Sequence, residues 1–367
     1  VRTLPPYTDI QSNSLPEVRR ETAVLRKALN EVIEQLNVTV EPSSGILPGF
    51  YNIQDYGAVC DAATNDFNAI QAAIDAAAAA GGGIVWVPGD CYIGNNTLSW
   101  KANVNIKGIH RGRSKIKTDA EVCIQPTETL RHCVISELSL HADVFAGGGK
   151  AFFSNSNTLD RVVISNCRLD GGLEGYGADM TGKMINCSIR DCVITHKLRM
   201  FRTSGIFNQN IFENLFINNE GAAPTTEDVI YMDPNGGTTN GNTFINCVCE
   251  VGGITLQGGR HWTIIGGGSY DPESSGQLGL TIASGVTHAF IMNYQMDLFK
   301  IDISGQQINI FNERCWAVTG TTPGPLGLTH INQTNGTFSK GLMDDPASYG
   351  FLGSSGGGVN AIGWGNR

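Results

Sequence analysis

Two glycine-bearing stretches near the middle of the chain carry five candidate carboxylic acids: Glu174 and Asp179 within 171–183, and Glu227, Asp228 and Asp233 within 220–241. Paired carboxyl groups are what glycosidic hydrolysis requires, about 5–5.5 Å apart for retention and about 6.5–9.5 Å for inversion. Asp179 and Asp233 are the leading catalytic pair, with Glu174, Glu227 and Asp228 as substitutes. Arg202 lies between the two stretches, where it would bind a sugar carboxylate, hold one acid ionised, or serve as an ordinary salt-bridge partner. Tyr176 and Tyr231 suit stacking on sugar rings or covering apolar surface, and Thr255 and Gln257 add polar contacts. His196 is either a general base or a surface histidine. The same region supports a second chemistry, in which Arg202, Lys183 or His196 abstracts a proton beside a uronic acid.

Such residues need elements to hold them, and the sequence supplies a repeating one. A seven-residue phrase alternates apolar and polar positions: Val-Ile-Ser-Glu-Leu-Ser-Leu at 134–140, Val-Ile-Ser-Asn-Cys-Arg-Leu at 163–169, Ser-Ile-Arg-Asp-Cys-Val-Ile at 188–194 and Ile-Phe-Glu-Asn-Leu-Phe-Ile at 211–217. Further copies begin at 243, 263, 290 and 309, so that the central polar residues recur about every 25 positions. Each copy alternates like a strand yet is too short to bury its apolar face alone. Stacking successive copies solves that problem, and the expected fold is an all-β, right-handed, single-stranded parallel β-helix. The central residues Asn166, Asn214, Asn246 and Asn293 suit turn backbone better than substrate.

Between the phrases runs a second strand family, at 200–203, 229–233, 253–257, 280–282 and 300–303. If its aliphatic residues point inward, Arg202, Tyr231, Asp233, Thr255, Gln257, Thr281, Lys300 and Asp302 face outward. The result is a polar stripe suited to an extended sugar chain, flanked by 171–183 and 220–241 as long insertions.

Composition bounds the partners. The net charge of −9 argues against nucleic acid. Charged residues make up 16% of the chain, below the roughly 25% of ordinary domains. No apolar run reaches the roughly 18 residues of a membrane span, and the first residues lack a signal-peptide pattern. Ten cysteines suggest disulfides at first, but Cys167, Cys192 and Cys247 recur at one place in the phrase and read as inward, reduced ladder residues. Cys60 and Cys91 are the one pair considered for a bridge, with the reduced state preferred. No metal-ligand spacing is recognised, and no cofactor is expected.

Four segments follow. Residues 1–40 carry Leu15, Val18, Thr22, Leu25, Leu29, Val32 and Leu36 at heptad spacing, which suits a coiled coil between chains or a single amphipathic helix. Residues 41–100 hold a connector, an alanine-rich capping helix between Asn65 and Ala80, and a first rung; 101–316 is the β-helix; 317–367 is a glycine-rich terminal segment.

The stretches Tyr51–Ala58, Asp66–Ile74 and Gly81–Gly89, followed by Asn103–Ile116, resemble the opening of the pectate-lyase-like parallel β-helix superfamily. With a helical lead ahead of that cap, the chain is most similar to bacteriophage tailspikes and polysaccharide depolymerases. The resemblance implies a homotrimer on a virion tail, assembled in the host cytoplasm, that binds and cleaves bacterial capsule or O-antigen. It further implies a baseplate or tail adaptor at the N-terminus and no membrane partner. A secreted glycan-active monomer, a polysaccharide lyase and a non-enzymatic receptor-binding spike are the alternatives. The aspartate-pair, Gly-His and Arg-x-Lys pattern of polygalacturonases is missing from the central rungs, as is the arginine–proline motif of calcium-dependent pectate lyases. No catalytic residue therefore transfers from the family.

Overall fold

A computed structural model describes residues 49–311 and 331–332, apart from stretches at 146–147, 155–156, 173–174, 201–205, 219–229, 234–237, 251, 271–277, 293, 297–299 and 304–305. The heptad-spaced lead (1–40) and all of 317–367 except Ile331–Asn332 lie outside the described residues.

The chain coils as a parallel β-helix. A first sheet runs from Phe50–Asn52 through Val134–Ser136, Val163–Ser165, Ser188–Arg190 and Ile211–Glu213 to Gln306–Phe311. The second runs from Asp61–Asn65 through Ser139–His141, Arg168–Asp170 and Val193–Thr195 to Gln295–Met296. The third contains Leu98–Trp100, Val122–Pro126, Lys150–Ser154, Tyr176–Met180, Lys197–Met200, Ile230–Met232 and Ile254–Gly259. Each strand pairs in parallel with its counterpart one turn away, as in Val134 with Val163 and Val163 with Ser188.

Apolar ladders hold the turns together. Ile106, Ile135, Ile164, Ile189, Phe212, Phe244, Ile264 and Ile291 stand in register on the first sheet, none more than 2% exposed. Rungs about 4.8 Å apart bring each such side chain onto the next and exclude water along the axis. The central polar residue of each phrase is the corner between first and second sheets. Glu137, Asn166, Asp191, Asn214 and Asn246 all have φ between 50° and 59°, the left-handed region where asparagine and aspartate are tolerated. Their side chains stack too: the Asn166 amide donates to Glu137 Oε1 at 3.1 Å and the Asn214 amide to Asp191 Oδ1 at 2.9 Å. These corner residues make turn, as their place in the phrase predicts. Cys167, Cys192 and Cys247, one position on, are buried free thiols.

A helix at Phe67–Ala79 buries Ala69, Ile70, Ala73, Ile74 and Ala77 and packs on the strands Phe50–Asn52, Gly83–Val87 and Leu98–Trp100. It covers the open end of the core, whose first rung would otherwise expose apolar side chains. The helix stops before Gly82, where φ is 134° and an added Cβ would lie 2.7 Å from the Asn103 carbonyl oxygen.

Two features differ from the sequence reading. The stretch 171–183 is not an insertion loop over its described residues: Tyr176–Met180 is a third-sheet strand, and Lys183–Ile185 belongs to a fourth strand family. That family, with Leu130–Arg131, Thr158–Asp160, Ile206–Asn208 and Thr238–Asn240, closes five successive turns on a short edge. The second-family strand expected at 200–203 also starts earlier, at Lys197.

Candidate active site at the corner of the second and third sheets

The candidate site sits where the chain passes from second to third sheet in three consecutive turns: His141 to Lys150, Asp170 to Tyr176, and Thr195 to Lys197. Backbone bonds stitch these passages together, Gly149 N–H donating to Gly171 O at 2.7 Å and Tyr176 N–H to Gly149 O at 2.8 Å. An added Cβ on Gly171 would lie 2.3 Å from the Tyr176 carbonyl oxygen, so Tyr176 is folded against the residue that follows Asp170.

On the third-sheet side, Lys150, Tyr176 and Lys197 are register partners. The pairing of the last two strands is irregular between Tyr176 and Ala178, and Gly177 is the extra residue. A side chain at Gly177 would meet Ile194 Cγ2 at 2.5 Å and Leu169 O at 2.7 Å. This bulge resets the alternation. Ala178 and Met180 enter the core while Tyr176 is only half-buried at the corner. Tyr176 thus stands between two lysines, each about one rung (~4.8 Å) away along the sheet. Lys150 Nζ lies 2.7 Å from Glu121 Oε1, 3.7 Å from Asp179 Oδ2 and 4.4 Å from the centre of the Phe153 ring.

Across the corner, His141 Nδ1 lies 3.7 Å from Asp170 Oδ2 and 3.9 Å from Asp143 Oδ1. Arg168 donates to Asp170 Oδ2 at 3.0 Å, and Lys117 lies 3.8 Å from Asp143. His141, Asp170, His196 and Lys197 are all buried. Burial pushes the His141 imidazole below its ordinary value, against the pull of Asp170 and Asp143. Burial lowers His196 as well, with Asp170 opposing and Lys197 and Arg168 assisting. Both rings therefore favour the neutral form at pH 7, and among the described residues His141 Nε2 and His196 Nδ1 have no hydrogen-bond partner. The corner joins cations that suit an anionic sugar to groups able to move a proton.

Of the residues nominated from sequence, Tyr176 and His196 lie at this corner, and Asp179 follows three residues along the strand, 3.7 Å from Lys150 Nζ. Asp179 is in register through Arg199 with Tyr231, Thr255 and Thr281, a row that departs from the outward stripe expected from sequence, since Arg199 holds the place given to Arg202 and Thr255 is buried rather than facing outward. Within the row Tyr231 is half-buried, whereas Asp179 and Thr255 are covered. Gln257, two residues beyond Thr255, is half-buried. Asp233 follows the strand Ile230–Met232, two turns from Asp179 and two positions out of register, which puts the α-carbons on the order of 12 Å apart. Lys183 is exposed on the fourth strand family. Glu174, Arg202, Glu227 and Asp228 lie outside the described residues. Sequence reasoning missed His141, Asp143, Lys150, Asp170 and Lys197. A signal existed: the residue after each phrase is His141, Asp170 or Thr195, one aligned column.

In a comparison with known proteins, residues 50–277 match the family model described as rhamnogalacturonase A/epimerase, pectate lyase-like. Mannuronan C5-epimerase AlgE1 of Azotobacter vinelandii is 28% identical over 258 residues, covering 62% of this chain and 18% of the relative. Alginate lyase 7 of the same organism is 30% identical over 196 residues, 45% of this chain and 22% of that protein. The chain thus spans about a fifth of the length of these curated relatives. Among solved structures, the Dettilon tailspike protein superposes with a TM-score of 0.59 at 12% identity, over 81% of this chain and 63% of that one, a likeness of fold. With its family match extending from the strand at Phe50 past the corner site, the chain belongs to the rhamnogalacturonase A/epimerase, pectate-lyase-like family of parallel β-helix proteins.

Proposed function

We propose that this chain acts on a uronic-acid-containing bacterial surface polysaccharide by removing the proton at C5 of a uronate. The observation that carries the reading is Tyr176 held between Lys150 and Lys197, with the neutral His141 and His196 in the same corner. A C5–H bond beside a carboxylate is a weak acid, because its loss places negative charge next to charge already there. Cations at the carboxylate offset that charge, and positioned neutral groups take and return the proton. Lys150, Lys197 and Arg168 are the cations for the first task, and Tyr176, His141 and His196 serve the second. From the common carbanion, loss of the C4 substituent cuts the chain, while protonation on the opposite face inverts C5. The curated relatives, named as epimerases and a lyase, support this class of reaction.

Hydrolysis by Asp179 and Asp233 is the competing chemistry. Asp179 is fully buried beside Lys150, the position of a cation's partner rather than of an acid open to a glycosidic oxygen. The setting we infer is a trimeric phage tail spike, a reading supported by the heptad-spaced lead at 1–40.

The test is incubation of the full chain in deuterated water with polymannuronate, polyguluronate and a panel of uronate-bearing capsules. Ultraviolet absorbance from a new C4–C5 double bond, or deuterium at C5 without chain shortening, is the expected result. New reducing ends with neither signature would overturn it in favour of hydrolysis. Binding with no change in the polymer would leave a receptor-binding spike.

A further inference from the structure

One cluster of reactive side chains stands apart from the corner site. Cys60, Asp66 and Cys91 present ligand-type atoms that all lie within 4.8 Å of one another, and the two sulfurs are 3.2 Å apart. Cys60 precedes the strand Asp61–Asn65, and Cys91 is the middle residue of Asp90–Tyr92, which pairs with it in parallel on the second sheet. Cys60 has φ of 57°, a conformation that side chains disfavour, so the backbone bears a cost to keep a thiol there. The turn carrying it is fixed by Asp66, whose carboxylate accepts from the Val59 and Cys60 N–H groups at 2.7 and 3.1 Å. Opposite lies Gly89, where an added Cβ would be 3.2 Å from Cys60 Cβ. Of the cysteines among the described residues, Cys60 is the one that is not buried.

We propose that Cys60 and Cys91 form a disulfide under oxidising conditions, and that this bond staples the capping helix to the first turn of the solenoid. The segment it would close contains the whole helix Phe67–Ala79. A small-molecule disulfide of the glutathione class serves as oxidant. The Cys60 thiolate attacks one of its sulfurs and expels the first glutathione thiolate. The Cys91 thiolate then attacks the Cys60 sulfur of the mixed disulfide and expels the second. The two cysteines lose two electrons and two protons, and the oxidant leaves as two reduced thiols. Burial raises both thiols above their ordinary value, Cys91 more strongly, so bond formation is slow at neutral pH and quickens as pH rises. Cys167 and Cys192 also neighbour one another, but both are buried beyond the reach of such an oxidant.

The experiment uses the full chain equilibrated in glutathione buffers, from fully reduced to mostly oxidised, then alkylated and mapped by peptide mass. The expected result is a Cys60–Cys91 linked peptide in the oxidised buffers alone. At least tenfold slower amide exchange over residues 61–79 should accompany it, and both effects should vanish in Cys60→Ser. Cys91→Ala provides a second variant should that one fold poorly. Equal alkylation of both thiols at every redox poise would overturn the proposal, as would a Cys60–glutathione adduct that never resolves. A parallel arm adds zinc to the reduced chain. Protection of both thiols by zinc, with no linked peptide in oxidising buffer, would instead assign a metal site and sink the disulfide.

Discussion

Tyr176 draws its interest from what surrounds it. A phenol alone on a strand is a poor acid or base near neutrality, but here its register partners on both sides are lysines. Replacing it with phenylalanine keeps the ring and removes the proton. We expect Tyr176→Phe to lower turnover by about 10²–10⁴-fold, read as unsaturated product or C5 deuterium, with polymer binding retained. The neighbouring histidines make a separate prediction about pH. Because burial lowers His141 and His196 in the folded chain, the unfolded chain binds protons first, near the ordinary value of about 6.5. Their contribution to stability is complete above that pH and is lost as pH falls through their folded values. In His141→Gln, the melting temperature should fall less steeply below about pH 6.5 than in the parent, whereas an unchanged slope would count against a neutral buried ring. Residue types alone did not reveal this site. Asp179, Tyr176 and His196 were legible as chemistry-bearing groups, but His141 pairs with Asp170 and Lys150 with Tyr176 across more than 20 positions of sequence, and they are neighbours only through the pitch of the coil.

At the scale of the element, legibility depended on how each strand fills its face. The phrase strands were readable because an apolar ladder and a corner asparagine recur at fixed positions. Tyr176–Met180 was not, since Gly177 and Ala178 carry too little side chain to mark an alternation. The fourth strand family was hidden for another reason: its three-residue members bury a single central side chain, as in Leu159, Met184 and Phe207. Just after that family lies an inward pair of amides that hold two turns in place. Asn210 Nδ2 donates to Met184 O at 3.0 Å and to Asn242 Oδ1 at 2.9 Å, while its own oxygen accepts from Cys187 N–H at 2.9 Å. Asn242 in turn donates to Phe207 O at 2.9 Å, and both amides are fully buried. Removing one member strands several polar groups without water. Asn210→Leu should destabilise the chain by about 2–4 kcal/mol, as about 1–3 kcal/mol attaches to each orphaned group and relaxation recovers part. Denaturant titration measures this, and a neutral substitution would mean that the amides are not the link between turns.

For the whole molecule, the decisive property is that the strands of each described turn pair with those of the adjacent turns, so the pitch could be read from the spacing of copies while the closing corners could not. That connectivity makes stability local in a way a globular core does not allow. Between residues 207 and 262 the axis is filled by aromatic rings: Phe212 and Phe244 stack at 4.9 Å, Phe244 and Trp262 at 6.1 Å, and Phe207 meets both Phe212 and Trp262 within 6.5 Å. Phe244 is fully buried at the centre of this column. Phe244→Ala should cost about 3–5 kcal/mol, the range for truncating a buried aromatic side chain. In a solenoid that loss falls on the turns that shared the ring. Amide exchange should therefore accelerate across residues 206–265, while the ladder from Ile106 to Ile164, nearer the capping helix, keeps its protection. Uniform acceleration over all turns would show instead that the coil unfolds as one unit, and the column would then stabilise every rung from a distance rather than its neighbours alone.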